Sequence, residues 1–494
     1  MDVLPNREAE AWRGLLASEF VDGWPRWTSF ACIWLWTCLV GKSGLTDAAL
    51  AQFDGMFRAP CTFVLLAVVA ALAVVVCASG KGASGKDASV VGSRAALVSA
   101  GIALTGGAVG IDIASVTGGA GAFVAGSCLG GVAIGLLKIA WGEMFSRMSL
   151  RSGLVDMGYS LIASTSVFLA LLAAPQAVRM FALVACAIPC PWLVVVGTRR
   201  LGEHPAPPPP PGAAKAITFN WSLLILPALV GMTSGLMTGV MGVRQEAGVE
   251  YARVGMAAAE LLAGVFLLFA SRRLSDRFGV SHIYAAALVP IVAGIALTSA
   301  NTVPVWVSAT VNELGFAAFY FFMIVYWGDL ARCVDWPVVR MYALGYLVFQ
   351  ASQIPGLILA GLAAHPSGSL LFAFLPVALI LAFFVVVLLV FNDYRSPLRQ
   401  WLTAGEPAET GDEIPEACVE LTRRFSLTPR EHEVLSLLAR GRTAAYIGRS
   451  LGIAPDTAKT HIRSIYRKMD VHTQQELIEQ IDAVVAGAGR GPVR

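Results

Sequence analysis

The sequence predicts an all-α protein in which a polytopic membrane helix bundle of about twelve spans precedes a small soluble domain of four helices. The 494 residues are 56% hydrophobic and only 14% charged, with a mean hydropathy of +0.68, whereas soluble domains are about 25% charged. Apolar stretches of about 20 residues, the length that crosses a bilayer, recur up to residue 391. After residue 400 the composition becomes that of a soluble domain, with 12 Lys/Arg and 13 Asp/Glu.

The apolar stretches set the predicted spans in order along the chain. They lie at 28–41, 61–78, 95–113, 120–140, 154–174, 178–197, 219–242, 252–270, 281–299, 303–327, 341–363 and 370–391. The first is short because Lys42 follows it, and ten to thirteen spans are compatible with the pattern. Residues 1–27 are polar and lack the apolar stretch of a cleaved signal peptide.

Basic residues in the loops set the predicted orientation. If the N-terminus is cytoplasmic, 19 Lys and Arg of residues 1–400 fall on the cytoplasmic side and five fall outside, namely Lys42, Arg58, Arg179, Arg244 and Arg253. Cytoplasmic loops carry such an excess. An even number of spans returns the C-terminus to the same side, so we expect a multi-pass protein of the cell (inner) membrane with both termini in the cytoplasm.

A proline-rich segment divides the bundle into two halves of six spans. Residues 198–218 contain Pro207 to Pro211, and a proline run is stiff and extended. We therefore predict a linker between the halves 28–197 and 219–391, within a bundle that ends near residue 397. Glycines four apart, Gly126/Gly130, Gly131/Gly135 and Gly231/Gly235/Gly239, favour close helix packing inside the bundle over a dimer seam.

The loop after the eighth span contains a short charged motif. Leu274, Asp276, Arg277 and Gly279 form the pattern L-x-D-R-x-G. It resembles the signature loop of the major facilitator superfamily, at the position of the second-half copy, which implies the six-plus-six fold. Arg272 stands where that family has a leading glycine, and the loop at 79–94 lacks the pattern. An ordinary basic cytoplasmic loop is the alternative.

Residues 425–486 carry the start and stop signals of four helices. Thr428, Pro429 and Glu431 predict a capping box, and Gly441 predicts the end of that first helix. The following helices are predicted at 443–451, 455–469 and 473–485. The acidic segment 398–424 is predicted to be a linker, and 487–494 a tail.

The third of these helices is amphipathic. Its apolar face is formed by Ala458, Ile462, Ile465 and Met469. Its other side carries Lys459, Thr460, Arg463 and Arg467, with Lys468 near the end. Because the turn Leu451-Gly452-Ile453 joins it to a short helix, the pattern predicts a helix-turn-helix that offers cations to a DNA groove. An exposed basic face without a partner is the alternative.

These residues also resemble the LuxR-type DNA-binding domain. The match includes Leu427 to Glu431, Leu438 to Gly441, Leu451 to Ile453, Thr457 to Ile462 and Ile465 to Met469. The resemblance implies that double-stranded DNA is a partner and that Lys459, Thr460 and Arg463 face base edges, with Arg467 on the same side. It places Thr457, His461 and Lys468 near the DNA backbone or in packing. Tyr446, Ala454 and Ala458 depart from the family and weaken capping and core.

Ionisable residues inside apolar spans are the best candidates for a ligand site. They are Asp112, Glu260 and Glu313. Glu313 shares a predicted helix face with Phe316, Tyr320 and Trp327, and a carboxylate ringed by aromatic side chains can hold a cation or a small aromatic molecule. Packing of the aromatic side chains, and a position of Glu313 nearer the interface, are the alternatives.

The sequence predicts no catalytic, metal or cofactor site, because phosphate-loop, nucleophile-elbow, metal-ligand and kinase motifs are missing. The chain as a whole resembles bacterial twelve-span regulators with a LuxR-type tail. The resemblance implies a one-component transcription regulator that senses an unknown small molecule through its bundle. The rivals are a transporter with an accessory DNA-binding tail and an inert anchor. Leu477, Ile481, Val484 and Val485 form either a homodimer surface for DNA binding or part of the domain's own core.

Overall fold

The chain folds into two units, residues 1–406 and 407–494, and each has its own hydrophobic core. This computed structural model describes residues 4–50, 70, 90–91, 93–202, 224–244, 249–273, 280–298, 303–331, 338–364, 378–381, 383, 413–439, 447, 451, 455–471, 476–477 and 480–481. The regular structure of these residues is helical throughout, so the all-α prediction is confirmed.

The first unit is a bundle of helices. They are α1 (Leu4–Asp22), α2 (Trp24–Lys42), α3 (Asp47–Leu50), α4 (Arg94–Thr117), α5 (Ala120–Phe145), α6 (Leu150–Leu172), α7 (Gln176–Ala187), α8 (Cys190–Gly202), α9 (Ile225–Arg244), α10 (Val249–Arg273), α11 (Val280–Thr298), α12 (Val305–Ala331) and α13 (Val338–Ala364). Ten of the twelve predicted spans coincide with α2 and α4 to α13, where α7 and α8 share one span. Most of the predicted spans at 61–78 and 370–391, the proline run and the motif at 274–279 lie outside the described residues.

Seven segments among the described residues are long and apolar enough to cross a membrane: α4, α5, α6, α7 with α8, α10, α12 and α13. Shorter apolar stretches occur in α9 and α11. The outer face of α4 shows what these helices are adapted to. Its exposed residues are Val98, Ile102, Val109, Ile113 and Val116, which recur at helical spacing. An apolar stripe on the outside as well as the inside of a helix is typical of contact with lipid.

Glycines allow close contact between neighbouring helices, as predicted. A Cβ atom added to Gly126 of α5 would lie 2.8 Å from the backbone nitrogen of Ile111 in α4. Gly231 and Gly235 of α9 meet the backbone of α13, where a Cβ on Gly235 would overlap the carbonyl oxygen of Gln353. Packing within the bundle is therefore confirmed for these glycines.

The N-terminal helix α1 is attached to the bundle by polar contacts. Trp12 Nε1 donates a hydrogen bond of 3.2 Å to Ser271 Oγ, and the Tyr159 hydroxyl donates one of 3.1 Å to the Leu16 carbonyl. Arg26 of α2 pairs with Asp156 of α6 at 2.7 Å and also with Glu19 of α1. Three helices are thus joined by one guanidinium.

The second unit contains α14 (Glu413–Arg424), α15 (Pro429–Leu438) and α16 (Pro455–Met469). Its core comprises Cys418, Leu421, Leu427, Val434, Leu435, Leu438, Ile447, Ala458, Ile465, Met469, Val471, Leu477 and Ile481. The prediction of a linker throughout 398–424 is wrong for 413–424, because Cys418 and Leu421 of α14 lie in this core. The acidic residues at the start of that segment favour a linker in the sequence, although 413–424 form a helix with an apolar face.

Leu477 and Ile481 distinguish between the two roles considered for the fourth predicted helix, a homodimer surface and part of the domain's own core. They are helical and lie in the domain's own core, with exposed fractions of 0% and 2%. These two side chains are therefore used inside the domain, which favours the core alternative over a dimer surface. Val484 and Val485 lie outside the described residues.

Candidate functional site

The start of α15 is fixed by the predicted capping box. Thr428 Oγ1 accepts a hydrogen bond from the Glu431 backbone N–H, and the Glu431 side chain accepts one of 2.7 Å from the Thr428 backbone N–H. Pro429 occupies the first turn, where its missing N–H costs nothing. The sequence signals at this helix start are confirmed.

Glu431 has a second role, because it clamps α15 to α16. Ser464 donates a hydrogen bond of 2.6 Å to Glu431 Oε1, and Lys468 Nζ donates one of 2.7 Å to Glu431 Oε2. Burial disfavours the carboxylate, but the bonds from Lys468, Ser464 and Thr428 outweigh it and lower the pKa of Glu431 to about 2. The carboxylate therefore remains ionised at neutral pH and holds α16 against α15.

The basic side of α16 is free of the domain core. Ala458, Ile465 and Met469 are buried, with Ile462 packed against them, so the predicted amphipathic face is confirmed. The exposed residues on the other side are Thr457, Lys459, Thr460, Arg463 and Arg467. Lys459 makes only an exposed ion pair of 3.0 Å with Asp456, and within the described parts of the chain Arg463 and Arg467 form no ion pair.

Two other residues of the predicted DNA-binding set are less available. His461 is partly buried. Lys468 donates to Glu431 and, at 3.3 Å, to the Ser426 carbonyl. The structure therefore gives Lys468 a role in holding the domain together rather than a free ammonium for a phosphate.

The polar centre of the bundle is an ion-pair triad. Lys42 Nζ pairs with Glu260 Oε1 and lies 2.7 Å from Glu313 Oε1. Glu260 is fully buried and Glu313 is 15% exposed. Lys42 belongs to α2, whereas Glu260 and Glu313 belong to α10 and α12, so the triad joins the first half of the bundle to the second.

The second oxygen of Glu260 is also occupied. Trp34 Nε1 donates a hydrogen bond of 2.9 Å to Glu260 Oε2, and Cys38 Sγ lies 3.6 Å from the same oxygen. Thr165 of α6 contributes a third contact at 3.4 Å. Trp34, Cys38 and Lys42 are spaced by four residues, so one face of α2 contacts Glu260 along two helical turns. Buried charges are tolerated when they are paired in this way.

The predicted aromatic site around Glu313 is only partly assembled. Phe316 and Tyr320 stack with ring centroids 5.7 Å apart, but Trp327 lies further along α12, covers Gly345 and contacts Tyr342. Glu313 already shares Lys42 with Glu260, so its carboxylate is paired, and the ligand site around it stays a prediction. Trp327 packs rather than lining the same site.

Asp112 is not brought together with the other two candidate carboxylates. It lies on α4, and its buried Oδ1 lacks a hydrogen-bond partner within the described residues. No described hydrogen bond or ion pair links it to the triad. Among the residues described, no group of three or more His, Cys, Asp or Glu side chains is arranged to hold a metal ion.

Two lysines of the bundle were missed as site residues by the sequence argument. The loop charges predict Lys42 on the outer side, and Lys138 falls within the predicted span 120–140 without being a candidate. The structure places Lys138 Nζ 5.3 Å from the ring centroid of Tyr320 and 5.1 Å from that of Tyr346. The signal available in the sequence is a lysine near the end of an apolar stretch. For Lys42, the spacing to Trp34 on the same helix face is a further signal.

Comparison with known proteins identifies the second unit. The luxR family of bacterial regulatory proteins matches residues 425–480. These residues form a LuxR-type helix-turn-helix domain. The HTH-type transcriptional regulator MalT of Serratia proteamaculans (strain 568) is 39% identical over 72 residues, which cover 15% of this chain and 8% of MalT. MalT of Yersinia pestis (strain Pestoides F) is 39% identical over 70 residues, 14% of this chain and 8% of its own. The match thus spans only about 8% of the length of these relatives.

The first unit has the fold of the major facilitator superfamily. Its arrangement is similar to that of the proton:xylose symporter XylE bound to 6-bromo-6-deoxy-D-glucose, with a TM-score of 0.50. The identity is 9%, and the alignment covers 77% of this chain and 96% of the symporter. A likeness at this identity describes the fold alone. With the apolar helices described above, it establishes a multi-pass membrane protein with the expected fold, while the motif at 274–279 lies outside the described residues.

Proposed function

We propose that this chain is a membrane-embedded, one-component transcription regulator that binds double-stranded DNA through α16 and senses a small molecule through its bundle. The observation that carries the proposal is the exposed basic side of α16 on a LuxR-type domain. The proposal includes an inner-membrane location with both termini in the cytoplasm, which the loop charge bias supports.

In this proposal Lys459, Thr460 and Arg463 contact base edges in the major groove. Arg467 and Thr457 contact the phosphate backbone, with His461 at the edge of the surface. An arginine in the major groove favours guanine, whereas phosphate contacts position the domain without reading sequence. Such domains bind two half-sites as a dimer, so we include homodimerisation on DNA.

The bundle provides an element that a ligand can act on. The Lys42 triad joins the two halves, so any rearrangement of one half against the other changes the environment of three buried charges. A ligand shifts such an equilibrium only by the difference between its affinities for the two states. The sensing role requires that the bundle control the DNA-binding domain.

The DNA-binding assignment is tested on the fragment 407–494, which includes α14 because Cys418 and Leu421 belong to the domain core. DNA selected from a random pool by this fragment serves as the probe. Arg463→Ala is expected to weaken the selected site by about 1–3 kcal/mol and to relax base preference. Arg423→Ala, an exposed arginine of α14, is the control and should leave base preference unchanged. Unaltered site preference in Arg463→Ala would show that the wrong face was assigned.

A transporter with an accessory tail is the second candidate, because the fold is similar to that of a symporter. Two measurements distinguish the candidates. One is expression of a reporter gene controlled by the selected DNA site, and the other is accumulation of the inducer in membrane vesicles. A regulator changes reporter expression with inducer only when the bundle and residues 407–494 are joined. Inducer uptake that persists after deletion of 407–494, with no inducer effect on the reporter, would favour the transporter.

A further inference from the structure

A second lysine lies inside the bundle, and it differs from Lys42 in having no carboxylate partner among the described residues. Lys138 of α5 lies over the ring faces of Tyr320 in α12 and Tyr346 in α13, at 5.3 Å and 5.1 Å from their centroids. In the described portion of the bundle, no carboxylate forms an ion pair with it. Ring faces attract a cation but carry no net charge, so no described group neutralises an ammonium at Lys138.

The two tyrosines beside Lys138 add unused hydrogen-bonding groups. Tyr320 and Tyr346 are each 2% exposed. Their hydroxyl oxygens are buried and lack a partner within the described residues. A buried hydroxyl without a partner is costly and rare in folded proteins. Lys138 itself is partly exposed.

We propose that the bundle's ligand is a small organic carboxylate whose anionic group pairs with Lys138 and accepts hydrogen bonds from the hydroxyls of Tyr320 and Tyr346. The proposal rests on the sensing function proposed above and names the ligand class. It assigns the ligand the charge opposite to the one that Glu313 alone suggests. Glu313 and Glu260 already share Lys42, whereas an ammonium at Lys138 repels a cation and has no anionic partner among the described residues.

The surroundings favour an apolar body behind the carboxylate. Phe316 stacks on Tyr320, and Phe349 lies 4.9 Å from Tyr320 between ring centroids. These rings belong to α12 and α13 of the second half, while Lys138 belongs to the first. A ligand held in this way contacts both halves of the bundle, as the triad does.

The test uses the full-length protein in detergent micelles and three probes of similar shape: benzoate, benzamide and benzylammonium. Benzoate is expected to raise the thermal unfolding midpoint with a saturable dependence on its concentration, and the other two are not. Lys138→Met should weaken benzoate binding by roughly tenfold to a hundredfold, as expected for loss of a charge-assisted contact. Lys138→Arg should retain most of the binding, and Tyr346→Phe should lose part of it while keeping the ring.

The unliganded variants supply an independent readout. Because no described carboxylate pairs with Lys138, Lys138→Met without probe should unfold at a midpoint no lower than the parent protein. A lower midpoint would show that Lys138 serves the fold and would overturn the proposal. Stabilisation by benzylammonium, equal stabilisation of Lys138→Met by benzoate, or no stabilisation by benzoate would also overturn it.

Failure of this proposal is distinguishable from failure of the sensing function. Binding of benzoate that depends on Lys138, without any effect of carboxylates on the reporter, would leave the anion site standing and remove its regulatory role. A reporter that responds to a neutral or cationic inducer, and not to carboxylates, would support the sensing function and overturn the carboxylate site.

Discussion

The ion pairs of the bundle and those of the DNA-binding domain differ in how far water reaches them. Lys42 is 13% exposed and its partner Glu260 is fully buried, whereas Lys459 is 57% exposed and Asp456 is 90% exposed. Glu431, 6% exposed, and Lys468, 31% exposed, lie between these extremes. Since the free energy of an ion pair depends on burial and on what is left unpaired when one partner is lost, the three pairs should respond differently to the same kind of substitution.

The largest effect is expected from Lys42→Met. The change leaves Glu260 and Glu313 buried next to each other without a cation, and loss of one partner of a buried pair costs about 3–5 kcal/mol. The measurement is the free energy of unfolding in detergent. The triple variant Lys42→Met/Glu260→Gln/Glu313→Gln, in which no charge remains, should recover at least half of the loss. If Lys42→Met were as stable as the parent, burial would not distinguish the ion pairs of the bundle from those of the DNA-binding domain.

An intermediate effect is expected from Glu431→Gln in the fragment 407–494. It removes charge-assisted bonds from Lys468 and Ser464, each of a kind that contributes about 1.5–3 kcal/mol. Because the folded pKa of about 2 lies below the ordinary value of about 4.3, the contribution of Glu431 is present above pH 4.3. It is lost as the pH falls toward 2.

This pH dependence is measured by urea unfolding between pH 2 and pH 7. The parent fragment should lose stability across the acid part of that range more steeply than the Glu431→Gln fragment. Glu433→Gln is a matched control, because Glu433 is exposed and, among the described residues, pairs with Arg430 alone. Parallel pH profiles for parent and Glu431→Gln would contradict the clamp.

The smallest effect on stability is expected from Lys459→Ala. Its pair with Asp456 is exposed, and exposed pairs contribute about 0–1 kcal/mol, so the unfolding free energy of the fragment should change by less than that. The same change should weaken DNA binding, since the ammonium is available to a groove. Gel-shift titration beside urea unfolding separates the two quantities. A large stability loss without a change in DNA affinity would reverse the roles assigned to Lys459 and Lys468.

The sequence was most informative where one local pattern decides the structure. The apolar stretches located the described spans, and Thr428, Pro429 and Glu431 located the start of α15, because these features depend on residues near one another in the chain. The amphipathic pattern of 455–469 likewise separated buried Ala458 and Ile465 from exposed Arg463. Helix spacing is sufficient for such predictions.

Long-range pairing was beyond the reach of the same reasoning. Lys42 and Glu260 are 218 residues apart, and nothing local shows that a lysine which ends one span turns back to meet a glutamate in another. Lys138 lies within the predicted span 120–140, but nothing local shows that it meets the rings of Tyr320 and Tyr346 in the other half. The helix at 413–424 is not predicted because its first residues are acidic. Its two core residues, Cys418 and Leu421, are buried only by contact with the rest of the domain.

The glycine seam between α9 and α13 has a consequence for synthesis. Gly231 and Gly235 touch backbone atoms of a helix that begins at Val338, 103 residues after Gly235. At about 5–20 residues per second, α9 waits roughly 5–20 s in the membrane before its partner emerges from the ribosome. During that interval its small residues face lipid or the insertion machinery. The second half of the bundle therefore acquires its final packing only after its late helices have been inserted.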